Sequence, residues 1–277
     1  MTSSEPREVA VPKYFRKTPT SPNISASQTK ITLGIAAIVI GVIAGLVSVL
    51  AEDPSFLCCA GFALPGGAVL ALVGYNEKSV RQRKYDEEYK KAVPKPSDQQ
   101  MDDWLSSDID RTVAGALDKM GMVREQVINA NDPLIVKGPL SRSRFAPGED
   151  GIFRFSAYEI VVIYLSNYHL GAYTCHLDFA TGKLESEQTQ EYHYADVVSV
   201  ATLTNNSGFT VTTTDGEEHQ LPSHQEFTLS VASGQSIKVA VAFPHAEEIL
   251  KGEWAPSGAE RAINTVRTML REKKGGI

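Results

Sequence analysis

Cysteine is scarce in this chain of 277 residues, which has three: Cys58 and Cys59 in an apolar run, and Cys175 alone. Cysteines so few and so placed exclude a disulfide framework and are typical of a reducing compartment. Signatures of catalysis are missing too, since there is no Gly-x-Ser-x-Gly, no P-loop and no dinucleotide fingerprint. We therefore expect no cofactor and no enzymatic activity, and we assign no catalytic, cofactor-binding or metal-binding residue.

Charged residues are absent from two stretches in the first third of the chain, residues 31–50 and residues 56–75. At ~1.5 Å per residue, a helix over either stretch is about 30 Å long, which matches the hydrocarbon core of a bilayer. The alternative for the first stretch is a cleaved signal peptide, but such a peptide has a shorter apolar run and no second run directly behind it. The sequence therefore predicts a transmembrane hairpin within residues 30–76.

The charges that flank the two apolar stretches predict their orientation. Lys and Arg precede the first stretch and follow the second, whereas the turn at residues 51–55 has two acidic residues and no basic one. By the positive-inside rule, both termini then lie in the cytoplasm. We expect a multi-pass protein of the cell membrane that contacts the lipid bilayer through residues 31–75.

Small residues recur at four-residue spacing in both predicted spans, and such residues let helix backbones approach closely in lipid. They are Ala37, Gly41, Gly45, Ala63, Gly67 and Ala71. Packing of the hairpin on itself is the favoured interpretation. The alternative is a homo- or hetero-oligomer formed through these faces.

The remaining segments differ in composition. Residues 1–29 are rich in Ser, Thr and Pro and predict a disordered cytoplasmic tail. Residues 77–121 predict a charged linker and then an amphipathic helix, which begins at a capping box on Ser97 and ends at Gly121. Residues 122–277 form the predicted cytoplasmic domain.

The cytoplasmic domain is predicted to be mainly β. From about Pro133 onward, apolar and polar residues alternate in seven or eight short runs joined by tight turns, which predicts an antiparallel barrel or roll. A capping box at Ser257 and Glu260 then starts a final helix. Its apolar stripe consists of Ala259, Ala262, Ile263, Val266, Met269 and Leu270.

This order of elements resembles the bacterial pleckstrin-homology-like (PH-like) fold over roughly residues 133–275. The run Tyr-His-Tyr-Ala-Asp-Val-Val-Ser-Val at residues 192–200 is similar to the aromatic-x-aspartate-hydrophobic run of a core strand in such domains. The resemblance implies an α+β protein in which a C-terminal helix caps a strongly bent sheet. It also implies a binding or assembly module, although the basic loop patch of lipid-binding members is missing here.

Two groups of residues invite a chemical interpretation. Cys175 and His176, with His193 on the neighbouring predicted strand, suggest a nucleophile and its base. Adjacent residues of a strand point to opposite faces, so Cys175 and His176 are not expected to act together. A second group could supply metal ligands, although a charged hairpin edge is the favoured interpretation. It consists of Glu217, Glu218, His219, His224 and Glu226.

Tyrosines are frequent on the first predicted strands, where half-burial is the favoured interpretation and a recognition surface the alternative. They are Tyr158, Tyr164, Tyr168, Tyr173, Tyr192 and Tyr194.

Residues 97–277 hold 15 Lys and Arg against 25 Asp and Glu, a net charge of −10, which argues against a nucleic-acid partner and against binding flat on anionic lipid. We expect a non-enzymatic, membrane-tethered scaffold that holds a protein partner at the inner membrane face. The alternatives are an accessory or regulatory subunit of a larger membrane complex and, third, a membrane-bound enzyme.

Overall fold

A computed structural model of the chain describes residues 5–50, 55–244 and 252–275. The chain forms two compact units. We call Met1–Lys17 together with Pro94–Ile277 the β unit, and Thr18–Val93 the helical unit. The chain is thus an α+β protein with mostly antiparallel sheets, as predicted.

The helices are α1 (Arg7–Tyr14), α2 (Ser25–Leu50), α3 (Ser55–Ala92), α4 (Asp98–Met120) and α5 (Ala259–Lys274). The strands are β1 (Leu134–Pro139), β2 (Phe145–Pro147), β3 (Phe153–Phe155), β4 (Ala157–Leu165), β5 (His169–Asp178), β6 (Lys183–His193), β7 (Val197–Asn205), β8 (Phe209–Thr212), β9 (Glu218–Leu221), β10 (His224–Val231) and β11 (Ser236–Ala242).

In the helical unit, α2 and α3 pack against each other through their small residues. A Cβ atom added to Gly34 would lie 2.6 Å from the carbonyl oxygen of Gly67 and 2.6 Å from the backbone nitrogen of Ala71. A Cβ added to Gly67 would lie 3.0 Å from the Cβ of Ala37. The predicted stripes therefore serve the packing of the two helices on each other.

Of the described helices, α2 alone meets the length and composition of a membrane span, with a mean hydropathy of 2.8. Residues 56–75, the second predicted span, lie in the first part of α3. The helix then continues through a segment rich in charged residues, which begins at Glu77 and ends with the helix at Ala92. By this criterion the structure supports one span and not the predicted two. The predicted turn falls largely on residues 51–54, which lie outside the described residues.

The β unit has a four-stranded sheet in the order β1-β4-β5-β6 and a three-stranded sheet in the order β11-β10-β7. Two short ribbons, β2-β3 and β8-β9, complete the described strands, and their pairings are antiparallel. The described strands do not form a closed barrel, so of the predicted barrel or roll the barrel is wrong. After β6 the chain turns at Asp196, whose carbonyl accepts from the backbone of Ala232 at 2.8 Å, so that β7 pairs with β10 and not with β6.

Strand β4 is buried on both faces and thereby separates two hydrophobic cores. Its residues Ile160, Val162 and Tyr164 face an outer core that the first sheet shares with α4. The alternate residues face an inner core, to which both sheets contribute. Helix α5 covers this inner core with the predicted stripe, although its N-cap is Gly258 and not the predicted Ser257.

The predicted disordered tail is wrong for α1, which belongs to the β unit. Val11, Tyr14 and Phe15 are buried in the outer core, because they lie on one face of a short amphipathic turn. Arg7 pairs with the carboxylate of Asp108, whose side chain is almost fully buried, and Tyr14 donates to Asp98 at 2.6 Å. The tail prediction also fails at its end, where α2 already begins at Ser25.

Candidate functional site

The structure separates Cys175, His176 and His193, the residues considered above as a nucleophile and its base. Cys175 is buried in the outer core, whereas His176 lies on the opposite face of β5, 3.9 Å from the carboxylate of Glu159. His193 is exposed at the end of β6, where its ring lies 6.3 Å from that of His169. Burial also raises the pKa of Cys175 to about 11, which keeps the thiol protonated at neutral pH.

The residues of the suggested metal site do not form a ligand cluster. His219 is exposed on β9, but His224 is buried on β10, where it stacks against Phe243 with ring centroids 5.8 Å apart. Burial lowers the pKa of His224. Within the described ranges, no group of three His, Cys, Asp or Glu side chains is placed to hold a metal ion.

Most of the tyrosines in the predicted population are core residues. Tyr168 is exposed, but the other five are buried. Tyr194 donates to the carbonyl of Ser166 at 2.8 Å, and Tyr164 donates to the carbonyl of Val113 at 3.2 Å. The structure therefore favours burial over a recognition surface.

The feature that sequence reasoning missed is a cavity of about 280 Å³ between α4 and the first sheet, which we call the α4 cavity. Helix α4 forms one wall, and residues of β1, β3 and β11, with Trp254 and Ala255, form the others. Its apolar lining includes Leu105, Ile109, Pro139, Ile152, Phe153, Phe155, Tyr158, Val241 and Trp254. Its charged lining residues are Asp102, Lys137 and Arg154.

Arg154 is the best-satisfied charged group of the α4 cavity. Its side chain is 4% exposed and binds Asp102 through Nε at 2.9 Å and Nη2 at 2.7 Å. It also binds Asp150 at 2.8 Å, and this hydrogen bond lowers the pKa of Asp150 to about 2. Because its donors are occupied, Arg154 fixes the wall and holds both oxygens of Asp102.

Two residues that line the α4 cavity carry polar groups without such a partner. Lys137 projects from the face of β1 that it shares with Ile135, and burial lowers its pKa. In the described part of the chain, no carboxylate lies within ion-pair distance of its ammonium group. The buried indole Nε1–H of Trp254 likewise has no acceptor among the residues that the structure describes.

Neighbouring aromatic rings fix the orientation of the Trp254 indole. Phe243 stacks on it with centroids 4.4 Å apart, and Phe155 stacks on it at 5.4 Å with an angle of 15° between the planes. Phe153 packs at 5.1 Å. An indole held by three rings gives the cavity a rigid aromatic wall, which is the preorganisation that a binding site needs.

One signal in the sequence could have indicated part of this site. Lys137 interrupts the apolar strand β1 on the face of Ile135, so it is a charged residue at a core position. Trp254 lies beyond β11, where the sequence shows neither a helical nor a strand pattern of apolar residues. No local signal therefore predicts its position in the fold. Comparison of the chain with protein-family models, with curated proteins and with solved structures finds no match.

Proposed function

We propose that this chain is a non-enzymatic, membrane-tethered interaction module. Its β unit would hold a protein partner at the inner face of the cell membrane, and the helical unit would anchor it by two spans. The proposal depends on one observation above the others, namely that α1 belongs to the same compact unit as the residues from Pro94 onward.

This observation bears on membrane topology through the connectivity of the chain. Residues on both sides of Thr18–Val93 contribute to one folded core, so they lie on the same side of any bilayer. The chain between them must then cross the membrane an even number of times. If α2 crosses, α3 has to return, and its uncharged residues 56–75 are long enough to do so. The basic flanks support a cytoplasmic β unit.

The order of the elements supports a PH-like assignment of the β unit. Four strands form the first sheet, three form the second, and a C-terminal helix places Ile263 and Val266 in the core between the sheets. The ribbons β2-β3 and β8-β9 are additions to that arrangement.

The edge strand β7 is the surface that we propose for the partner. In the described chain β7 pairs with β10 alone, and its Val198 and Leu203 side chains are mostly exposed. The side chains of Arg267 and Lys274 of α5 donate hydrogen bonds to backbone carbonyls in the first half of β7. This leaves Ala201–Asn205 as an open edge. An extended peptide can add to such an edge as a further strand. The acidic β unit favours a peptide with basic residues.

The small-residue stripes favour this tether over an accessory subunit. They are used between α2 and α3, so they are not available as a close-packing face for other spans.

Photocrosslinking in cells tests the partner surface. A photoreactive residue at Val198 should give a discrete adduct with a protein, and Leu203→Lys should abolish that adduct. Val123→Lys is the matched control, because Val123 and Leu203 are equally exposed at 52% and Val123 lies outside β7. Absence of an adduct, or its loss in Val123→Lys and not in Leu203→Lys, would contradict the proposal.

A further inference from the structure

We infer that the α4 cavity binds a small carboxylate with an aromatic body. None of the residues Ala201–Asn205 of the β7 edge lines this cavity. The inference therefore does not depend on the proposed protein partner.

The size and lining of the α4 cavity indicate the body of the ligand. Its volume of about 280 Å³ is close to the lower end of the ~300–1,000 Å³ range of small-molecule sites. Phe153, Phe155 and Trp254 present aromatic surfaces to it, and stacked or edge-to-face contact with a ring is the geometry that such surfaces favour.

The polar groups of the α4 cavity indicate the charge of the ligand. Lys137 contributes an ammonium group without an ion-pair partner in the described chain. The carboxylate in the wall, Asp102, is held at both oxygens by Arg154. The cavity thus offers one cationic donor that a ligand carboxylate would satisfy.

The lysine is costly for the folded chain when nothing binds it, because partial burial deprives its ammonium group of water. An apolar side chain would fill the same position without this cost. A perturbed charged group that lines a cavity is typical of a binding site.

Tryptophan fluorescence tests the inference in the full chain in lipid nanodiscs. The chain has two tryptophans, and Trp104 does not line the α4 cavity. In a Trp104→Phe variant, 3-phenylpropanoate should change the emission of Trp254 with a saturable dependence on concentration. The neutral 3-phenylpropanamide and the cationic 3-phenylpropylamine should bind at least ~10-fold more weakly, a difference of about 1.4 kcal/mol. Octanoate, which shares the carboxylate and could come from lipid, should also bind more weakly.

Variants of the lysine locate the interaction. Lys137→Met and Lys137→Gln, in the same Trp104→Phe background, should each weaken 3-phenylpropanoate binding at least ~10-fold. Lys95→Met is the matched control, because Lys95 is also partly desolvated but donates to the carbonyl of Tyr14 at 3.3 Å, outside the cavity. A Trp254→Phe variant, which retains Trp104, should show no saturable change and so reports on partition into lipid.

Three results would overturn the inference. They are the lack of a saturable change with the acid, binding of the amine or of octanoate at least as tight as that of the acid, and unchanged affinity in a folded Lys137 variant. The comparison among ligands needs no lysine variant, so it decides the question even if those variants fail to fold.

Discussion

Glu159 on β4 gives the β unit a dependence on pH that a single substitution should remove. Its side chain is 23% exposed, and its carboxylate lies 3.9 Å from the imidazole of His176. Burial, and then the negative charge of Glu226 on β10, raise the pKa of Glu159 from 4.5 to about 7. Lys238 neutralises part of the charge of Glu226 at 3.4 Å but belongs to β11.

The sign and size of the effect follow from proton linkage. Between pH 4.5 and pH 7 the folded state binds more protons at Glu159 than the unfolded state, so the free energy of unfolding falls as the pH rises. At ~1.36 kcal/mol per pKa unit, ionisation of Glu159 lowers the free energy of unfolding by about 3 kcal/mol at pH 8 and by less than about 1 kcal/mol at pH 5. Glu159→Gln keeps the shape of the side chain and removes its ionisation.

Thermal melting of the full chain in nanodiscs at pH 5 and pH 8 measures this difference. For a unit of about 200 residues, ~1 kcal/mol corresponds to about 2–4 °C. Glu159→Gln should therefore raise the melting temperature at pH 8 by several degrees more than at pH 5. Glu185→Gln, on the exposed part of β6, should shift neither value. Equal shifts of Glu159→Gln at the two pH values, or a lower melting temperature at pH 8, would refute the reasoning.

Two further outcomes concern the anchor and α5. In a chain without its native cysteines, Ser55→Cys should react with an impermeant maleimide in intact cells, and Glu272→Cys only after permeabilisation; labelling of Glu272→Cys from outside would exclude the proposed topology. Val266 is fully buried, so Val266→Asp should unfold the β unit or destabilise it by at least ~3 kcal/mol, whereas exposed Arg271→Ala should cost under ~0.5 kcal/mol. Similar melting curves for the two α5 variants would mean that this helix is not part of the core.

The elements that the sequence predicts well are those whose signals are local. Ser97 accepts from the backbone of Gln100 at 3.2 Å and Gly121 adopts a φ of 67°, so both ends of α4 lie where the caps predict them. The alternating residues of β4 and the stripe of α5 are also confirmed, because their periods of two and 3.6 residues depend on burial alone.

The features that the sequence did not predict depend on distant partners. The partition of the strands into two sheets is decided by β10, which pairs with β7 across the intervening ribbon β8-β9 as well as with its neighbour β11. Helix α1 is short and polar in composition, and its contacts are with α4 and with Phe179, whose carbonyl accepts from Arg7 at 2.8 Å. The α4 cavity joins residues of five segments, and no local pattern connects Lys137 with Trp254.

The place of α1 in the outer core changes how the architecture is best described. The helical unit is a domain insertion, placed within the β unit between α1 and the rest of its chain. The two ends of the parent domain are near each other at the splice point, where the side chain of Lys95 donates to the carbonyl of Tyr14. Replacing Thr18–Val93 by a short Gly-Ser linker would therefore make the β unit continuous in sequence, whereas a fragment that starts at Ser97 would leave the surface under Tyr14 and Phe15 bare.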